Sequence, residues 1–192
     1  MKVILISSAI LASKEPVYKQ GEPWTMVHAT CFVGCPLAMV QLALRKEGTW
    51  VLGRKDLRNG RSPLHYAASR GDYHVKLPVG AMGGELQVIA EPSPVGLLLH
   101  RYPNAVRITD ANRQLPLHIC ISSVTSAYSS STRALQDLQI MLNHFPSSLE
   151  RRDGIDKVYP FMLAAKGDCS SLDVIYFLLL KNPTLVASGI HL

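Results

Sequence analysis

Apolar residues along this chain fall in short helical stripes that proline-containing blocks open and close. Leu135, Leu138 and Leu142 stand at i, i+3 and i+7, with Gln136, Asp137, Gln139 and Asn143 between and after them. That spacing predicts a helix buried along one face. Leu172, Ile175, Tyr176 and Leu179 predict another. A stopping block follows each apolar stretch: Tyr102-Pro103-Asn104-Ala105-Val106, Phe145-Pro146-Ser147-Ser148-Leu149 and Asn182-Pro183-Thr184-Leu185-Val186. Proline has no N–H to continue the helical ladder. An opening block recurs as Ser62-Pro63-Leu64-His65-Tyr66-Ala67-Ala68, Leu115-Pro116-Leu117-His118-Ile119-Cys120 and Tyr159-Pro160-Phe161-Met162-Leu163-Ala164-Ala165, with a degenerate copy at Thr25-Met26-Val27-His28-Ala29-Thr30. At the first helical position proline loses no useful hydrogen bond, and its fixed φ suits the first turn.

The two kinds of proline are spaced differently. From a stopping to the next opening proline the chain runs 13 or 14 residues, whereas from opening to stopping proline it runs 40, 30 and 23. The constant half holds Asp56, Asp110 and Asp153, each six or seven residues before an opening proline, and the turn pairs Asn59-Gly60 and Asp153-Gly154. The implied unit is a short helix, a connection of variable length, a longer helix and a turn-tipped finger of fixed length. One helix pair cannot bury its apolar stripe alone, so neighbouring pairs must stack. The expected fold is all-α.

These opening blocks resemble the ankyrin repeat, whose helix-opening signature is Thr-Pro-Leu-His-x-Ala in a unit of about 33 residues. Ser62 to Ala67 and Leu115 to Cys120 carry the likeness. Tyr159 to Ala165, with Asn182 to Val186, is similar to the divergent ankyrin-like proteins of diatoms and related algae. The resemblance spans Trp24 to Val186 and implies a solenoid of about four helix-turn-helix repeats, in units of about 24–53, 54–108, 109–151 and 152–186. An N-terminal segment, 1–23, is read as either a weak signal-like run or part of a repeat helix, and 187–192 as a tail. Insertions enter between the paired helices at 72–93 and 122–131. The first holds Gly80, Gly83 and Gly84 without helical period, and is either a genuine insertion or translated noncoding sequence; the second is serine-rich, like a linker. Three departures from the family pattern stand out. Met162 replaces the histidine, Thr25-Met26 lacks the proline, and Arg113 sits where a finger usually has glycine, which would pass the left-handed turn position to Asn112.

The resemblance implies protein recognition through finger turns and inner helices, without catalysis. The candidate contact residues are Arg58, Asn59 and Arg61 on one finger, Asn112, Arg113 and Gln114 on the next, and Ile155, Asp156 and Lys157 on the last. Arginine suits such contacts through bidentate pairing and stacking. Charge reversal at Arg58 and Arg61 is expected to weaken partner capture at an unchanged melting temperature. Pro63, Leu64, His65, Ala67, Pro116, Leu117, His118, Pro160, Phe161 and Ala164 are read as residues that build the repeats.

Composition adds limits. The chain of 192 residues is 47% hydrophobic and 18% charged, which is a folding rather than a disordered profile. Its net charge of +6 includes a cluster at Arg45, Lys46, Arg54, Lys55, Arg58 and Arg61. A basic balance favours acidic partners only where charge is clustered, so nucleic acid or another polyanion is the alternative to a protein partner. Aromatic residues make up only 7% of the chain, which is sparse for a base-stacking platform. The cysteines Cys31, Cys35, Cys120 and Cys169 have unrelated spacings, pointing to a reducing compartment, cytoplasmic or nuclear, rather than to a disulfide framework. His28, Cys31 and Cys35 lack the fourth ligand of a structural zinc site, so no metal or cofactor is expected. No run of about 20 apolar residues predicts a membrane span. Val174 to Leu180 has little polar covering, which points to a missing neighbouring repeat, self-association or a covering tail.

Overall fold

The structure is a computed structural model that describes residues 24–70, 93–126, 132–166 and 172–184. The N-terminal segment 1–23, nearly all of the insertion at 72–93, the stretch 127–131 and the tail 187–192 lie outside the described residues, as does Cys169.

Eight helices and no strand are found among the described residues: α1 Met26–Val33, α2 Leu37–Glu47, α3 Pro63–Ala68, α4 Pro94–Arg101, α5 Pro116–Ser126, α6 Thr132–His144, α7 Pro160–Lys166 and α8 Leu172–Lys181. Pro63, Pro116 and Pro160 each stand at the first position of their helix, as the opening blocks predict. The first unit opens without proline. The Thr25 hydroxyl accepts from the His28 backbone N–H, and the His28 ring accepts from the Thr25 N–H, so the helix end is closed reciprocally. The stopping prolines Pro103 and Pro146 end their α-helices and begin single 3-10 turns, Pro103–Arg107 and Pro146–Glu150, matched after α2 by Thr49–Gly53.

The short helices form one row. α1 packs on α3, α3 on α5 and α5 on α7, while α4 packs on α6 behind them. Within each unit the paired helices also touch: α1 with α2, α3 with α4, α5 with α6 and α7 with α8. The core runs unbroken along the row through Leu52, Leu64, Leu98, Leu99, Leu117, Ile121, Leu138, Met141 and Leu178, all essentially inaccessible. Each such side chain contributes about 1.5–3 kcal/mol when fully buried.

Three sequence expectations are corrected. Residues 122–126 continue α5 rather than opening a linker, so the serine-rich tract begins as helix. In α8 the buried face is Val174 and Leu178, with Leu172, Tyr176 and Leu180 turned to solvent at i, i+4 and i+8. The expected stripe of Leu172, Ile175, Tyr176 and Leu179 held neither buried residue, because nearly every residue of this helix is apolar and periodicity cannot choose a face. In α6, Leu138, Met141 and Leu142 are buried, but Asp137 is buried beside them at 2% exposure.

The fingers repeat one backbone form. Gly60, Arg113 and Lys157 each stand three residues before an opening proline, and all have positive φ (64°, 58° and 60°). Arg113 itself therefore takes the left-handed position, not Asn112, because register in the finger outweighs the preference of the side chain. Neighbouring fingers are closely appressed. The Ala111 N–H donates to the Asn59 carbonyl at 2.9 Å, and a Cβ on Gly154 would overlap the carbonyl of Asn112.

Left-handed backbone costs a non-glycine residue about 1–2 kcal/mol, partly offset in glycine by its unfolded-state entropy of about 0.4–1 kcal/mol. Arg113→Gly should therefore raise stability by roughly 0.5–1 kcal/mol, whereas Gly154→Ala should lower it by more than that, since backbone must shift. Urea denaturation of the two variants checks both signs. A destabilised Arg113→Gly protein would refute the assigned register.

Candidate functional site

Each finger is held from inside by an aspartate. The Asp56 carboxylate accepts from the N–H groups of Arg58 (2.8 Å), Asn59 (2.6 Å) and Arg61 (2.9 Å), and from the Tyr66 hydroxyl (2.8 Å). Asp110 accepts from the N–H groups of Asn112 and Gln114, both at 2.9 Å. Asp153 accepts from those of Ile155 (3.3 Å), Asp156 (3.2 Å) and Val158 (3.0 Å). All three aspartates are buried, with exposures of 4% or less. Burial alone would raise the Asp56 and Asp153 carboxyls, but the N–H groups that converge on them hold both below the ordinary carboxylate value. Burial, with Asp56 adding to it, pushes the Tyr66 phenol up to about 12. A backbone pair closes each finger at its base: Asp56 N–H to Arg61 carbonyl, Asp110 to Gln114 and Asp153 to Val158.

The inner-helix histidines tie one finger to the next. His65 Nδ1 accepts from the Ser62 N–H at 3.1 Å, which leaves the hydrogen on Nε2 to donate to the Gln114 carbonyl at 3.2 Å. His118 repeats this with the Leu115 N–H at 3.0 Å and the Arg151 carbonyl at 3.0 Å. His28 makes the Nδ1 contact, but its Nε2 reaches no partner in hydrogen-bond geometry, although the carbonyls of Arg54 and Arg61 act on the ring. Burial lowers all three imidazoles, that of His65 to about 4. α7 has Met162 at the equivalent place, so no such tie leaves it.

With the backbone fixed from within, the tips face solvent. Arg58, Asn59, Asn112, Arg113, Asp156 and Lys157 are exposed, and Ile155 is 59% exposed. Two sequence candidates differ. Gln114 is buried, and its amide donates to Asp153 at 3.5 Å, so it joins fingers rather than facing outward. Arg61 is half-buried, with its guanidinium 3.5 Å from the enclosed Asp110 carboxylate. Reversing its charge would set two anions together inside the stack, so an unchanged melting temperature is not expected for that variant. Asp156 is paired with Lys166 at 2.6 Å. Pro63, Leu64, His65, Ala67, Pro116, Leu117, His118, Pro160 and Ala164 are buried, and Phe161 is partly buried.

Residues 59–75 match the ankyrin-repeat family model. The matched stretch takes in the first finger tip and all of α3, which carries Pro63, Leu64, His65 and Ala67. It supports an ankyrin-repeat family for this chain, and ankyrin repeats in general serve protein–protein interaction and are non-catalytic. No curated protein matches the chain.

Counting from the opening prolines also reveals residues that the sequence reading did not single out. Arg54, Arg107 and Arg151 stand nine residues before Pro63, Pro116 and Pro160, and all are exposed. Guanidinium groups at the finger bases lie over rings: Arg54 on Trp50 at 4.6 Å, Arg107 on Phe145 at 4.6 Å and Arg152 on Tyr159 at 4.8 Å. Leu57 is 70% exposed on the first finger. Charge clustering in sequence detected Arg54 alone, because the others are separated by whole helices; the same proline arithmetic finds all three. Among the described residues no group of three His, Cys, Asp or Glu is arranged to hold a metal ion, and no helix is long and apolar enough to cross a membrane. Burial pushes the thiols of Cys31 (to about 12), Cys35 and Cys120 upward, which suppresses the nucleophilic thiolate.

The histidines imply acid lability. Their folded values lie below the ordinary 6.5, so the unfolded chain takes up protons first as pH falls. Their contribution is complete above pH 6.5 and declines below it; for His65 the loss runs from 6.5 to about 4 and amounts to about 3 kcal/mol. Asp56 and Asp153 act in a lower window, below the ordinary carboxylate value of 3.8, where their depressed values begin to count. The urea midpoint should therefore drop steeply between pH 7 and pH 4.5. Equal midpoints at the two pH values would show that the ties do not exist in solution.

Proposed function

We propose that the chain is a non-catalytic protein-binding module built as a stack of four ankyrin-like repeats, with units of about 24–53, 54–108, 109–151 and 152–186. The row of α1, α3, α5 and α7, each in contact with the next, supports that reading. So does the recurrence of the aspartate-held finger before α3, α5 and α7. The finer kinship with divergent algal ankyrin-like proteins rests on Tyr159 to Ala165 with Asn182 to Val186. A reducing cytoplasmic or nuclear setting is supported by the buried free thiols of Cys31, Cys35 and Cys120.

One observation carries the function. Finger backbone is fixed by buried groups, while the tip residues Arg58, Asn59, Asn112, Arg113 and Ile155 are all exposed to solvent. A rigid scaffold with variable exposed tips is what recognition requires, because little conformational entropy is lost on binding. The enclosed histidines and thiols are tied to backbone or sealed in the core, which supports a role without catalysis.

The double variant Arg58→Glu with Ile155→Asp tests this. Both sites are exposed, so stability should stay within about 0.5 kcal/mol of the parent chain. Capture of a protein partner from extract of the native organism should fall at least about fivefold, a loss of roughly 1 kcal/mol. Undiminished capture at an unchanged melting temperature would place the binding surface elsewhere.

A further inference from the structure

We propose that the finger edge binds an acidic, extended polypeptide segment whose carboxylates recur at about every third residue. The inference rests on the protein-binding reading above and narrows it to a partner class. It starts from a register of positive charge. Arg54, Arg107 and Arg151 occupy the same place before three successive opening prolines, and Arg58, Arg113 and Lys157 add a cation to each finger tip. All six are exposed, and among the described residues none of them forms an ion pair.

Carboxylates that could neutralise this edge are engaged elsewhere. Asp56, Asp110 and Asp153 are buried under finger N–H groups. Glu47 accepts from the N–H groups of Met26 (2.8 Å) and Val27 (3.1 Å), Asp156 is held by Lys166, and Glu150 accepts from the Asn182 amide at 3.3 Å. The exposed face of this edge thus carries more cations than carboxylates, and complementary charge would speed and orient association. Arg54 and Arg107 are also held over Trp50 and Phe145, which reduces the freedom lost when they grip a carboxylate. Guanidinium pairs with carboxylate through two parallel hydrogen bonds.

Spacing sets the form of the ligand. Helices in contact lie about 8–10 Å apart, so equivalent arginines recur at about that interval along the row. A chain in the extended polyproline form advances about 3.1 Å per residue with three residues per turn, so every third side chain lies on one face and meets the next finger. Polypeptide is favoured over nucleic acid by two details. Of the rings under the edge guanidinium groups, Phe145 is buried and Tyr159 half-buried, which leaves no succession of open rings for bases to stack on. Leu57 and Ile155 place exposed apolar surface on the fingers, which suits aliphatic side chains and not phosphate.

The test pans a displayed library of random peptides on the full chain. Enriched sequences are then synthesised and measured by fluorescence anisotropy, with short duplex DNA in parallel. Acidic peptides spaced by three should be enriched. Arg107→Glu and Arg151→Glu should each weaken them at least about fivefold. Arg151 is exposed and among the described residues its side chain makes no ion pair or ring contact, so its variant reports binding even if Arg107→Glu disturbs Phe145. Arg70→Glu changes net charge equally but lies past the opposite end of α3, and should change affinity less than about twofold. Equal losses in all three variants would reduce the effect to net charge and overturn the proposal. Enrichment of peptides without acidic residues would overturn it too, while leaving the protein-binding reading intact. Enrichment of no peptide, with tight and salt-sensitive binding of the duplex, would overturn both.

Discussion

The buried aspartate of each finger is the interaction on which the rest of this structure depends. A finger has no helix or strand ladder to satisfy its backbone, and bare N–H groups next to a packed core are costly. Asp56, Asp110 and Asp153 supply an acceptor from the inside, each fixing two or three N–H groups of its own turn. The charge stays affordable because hydrogen bonding to the ionised form more than offsets desolvation, which is why the Asp56 and Asp153 carboxyls titrate low despite their burial. With the backbone satisfied internally, outward-facing side chains are released from structural duty.

Fingers become a continuous edge only because the inner helices reach between units. His65 and His118 each accept a hydrogen bond from the opening turn of their own helix and donate one to the backbone of the following finger. Gln114 and Arg61 bridge the same gaps through Asp153 and Asp110. Stacking is therefore polar at the edge and apolar beneath it, where Leu64, Leu117 and their neighbours close the core. The two layers differ in their response to conditions. Acid breaks the imidazole ties before it reaches the carboxylates, whereas loss of core volume acts at every pH.

Much of this was legible in the sequence. Proline at the first helical turn and the fixed distance back to an aspartate located α3, α5, α7 and their fingers, since both features have one local physical cause each. Properties set by neighbours in space were not legible. Asp137 reads as a surface residue of α6 and is buried; Gln114 and Arg61 read as open tips and are bridges between units. In α8 the buried face could not be chosen, because Leu172, Tyr176, Val174 and Leu178 are all apolar and only the packing of α7 selects Val174 and Leu178. Arg113 was assigned an ordinary backbone because arginine seldom takes positive φ, yet the finger imposes the form that Gly60 takes freely.

That last case shows how strongly the repeat overrides the residue. Three successive fingers place Gly60, Arg113 and Lys157 in one left-handed position, and only the first is glycine. Side chains that tolerate this conformation poorly would be replaced by glycine if backbone comfort alone mattered. Each instead puts a cation at a finger tip while accepting about 1–2 kcal/mol of backbone cost. The same two fingers present Arg107 and Arg151 at their bases, and no carboxylate on this edge is left uncommitted to neutralise them. Lys157 recovers part of that cost through its ammonium bond to the Gly154 carbonyl, whereas Arg113 has no such bond among the described residues, and its strain is what the acidic partner proposed above would offset.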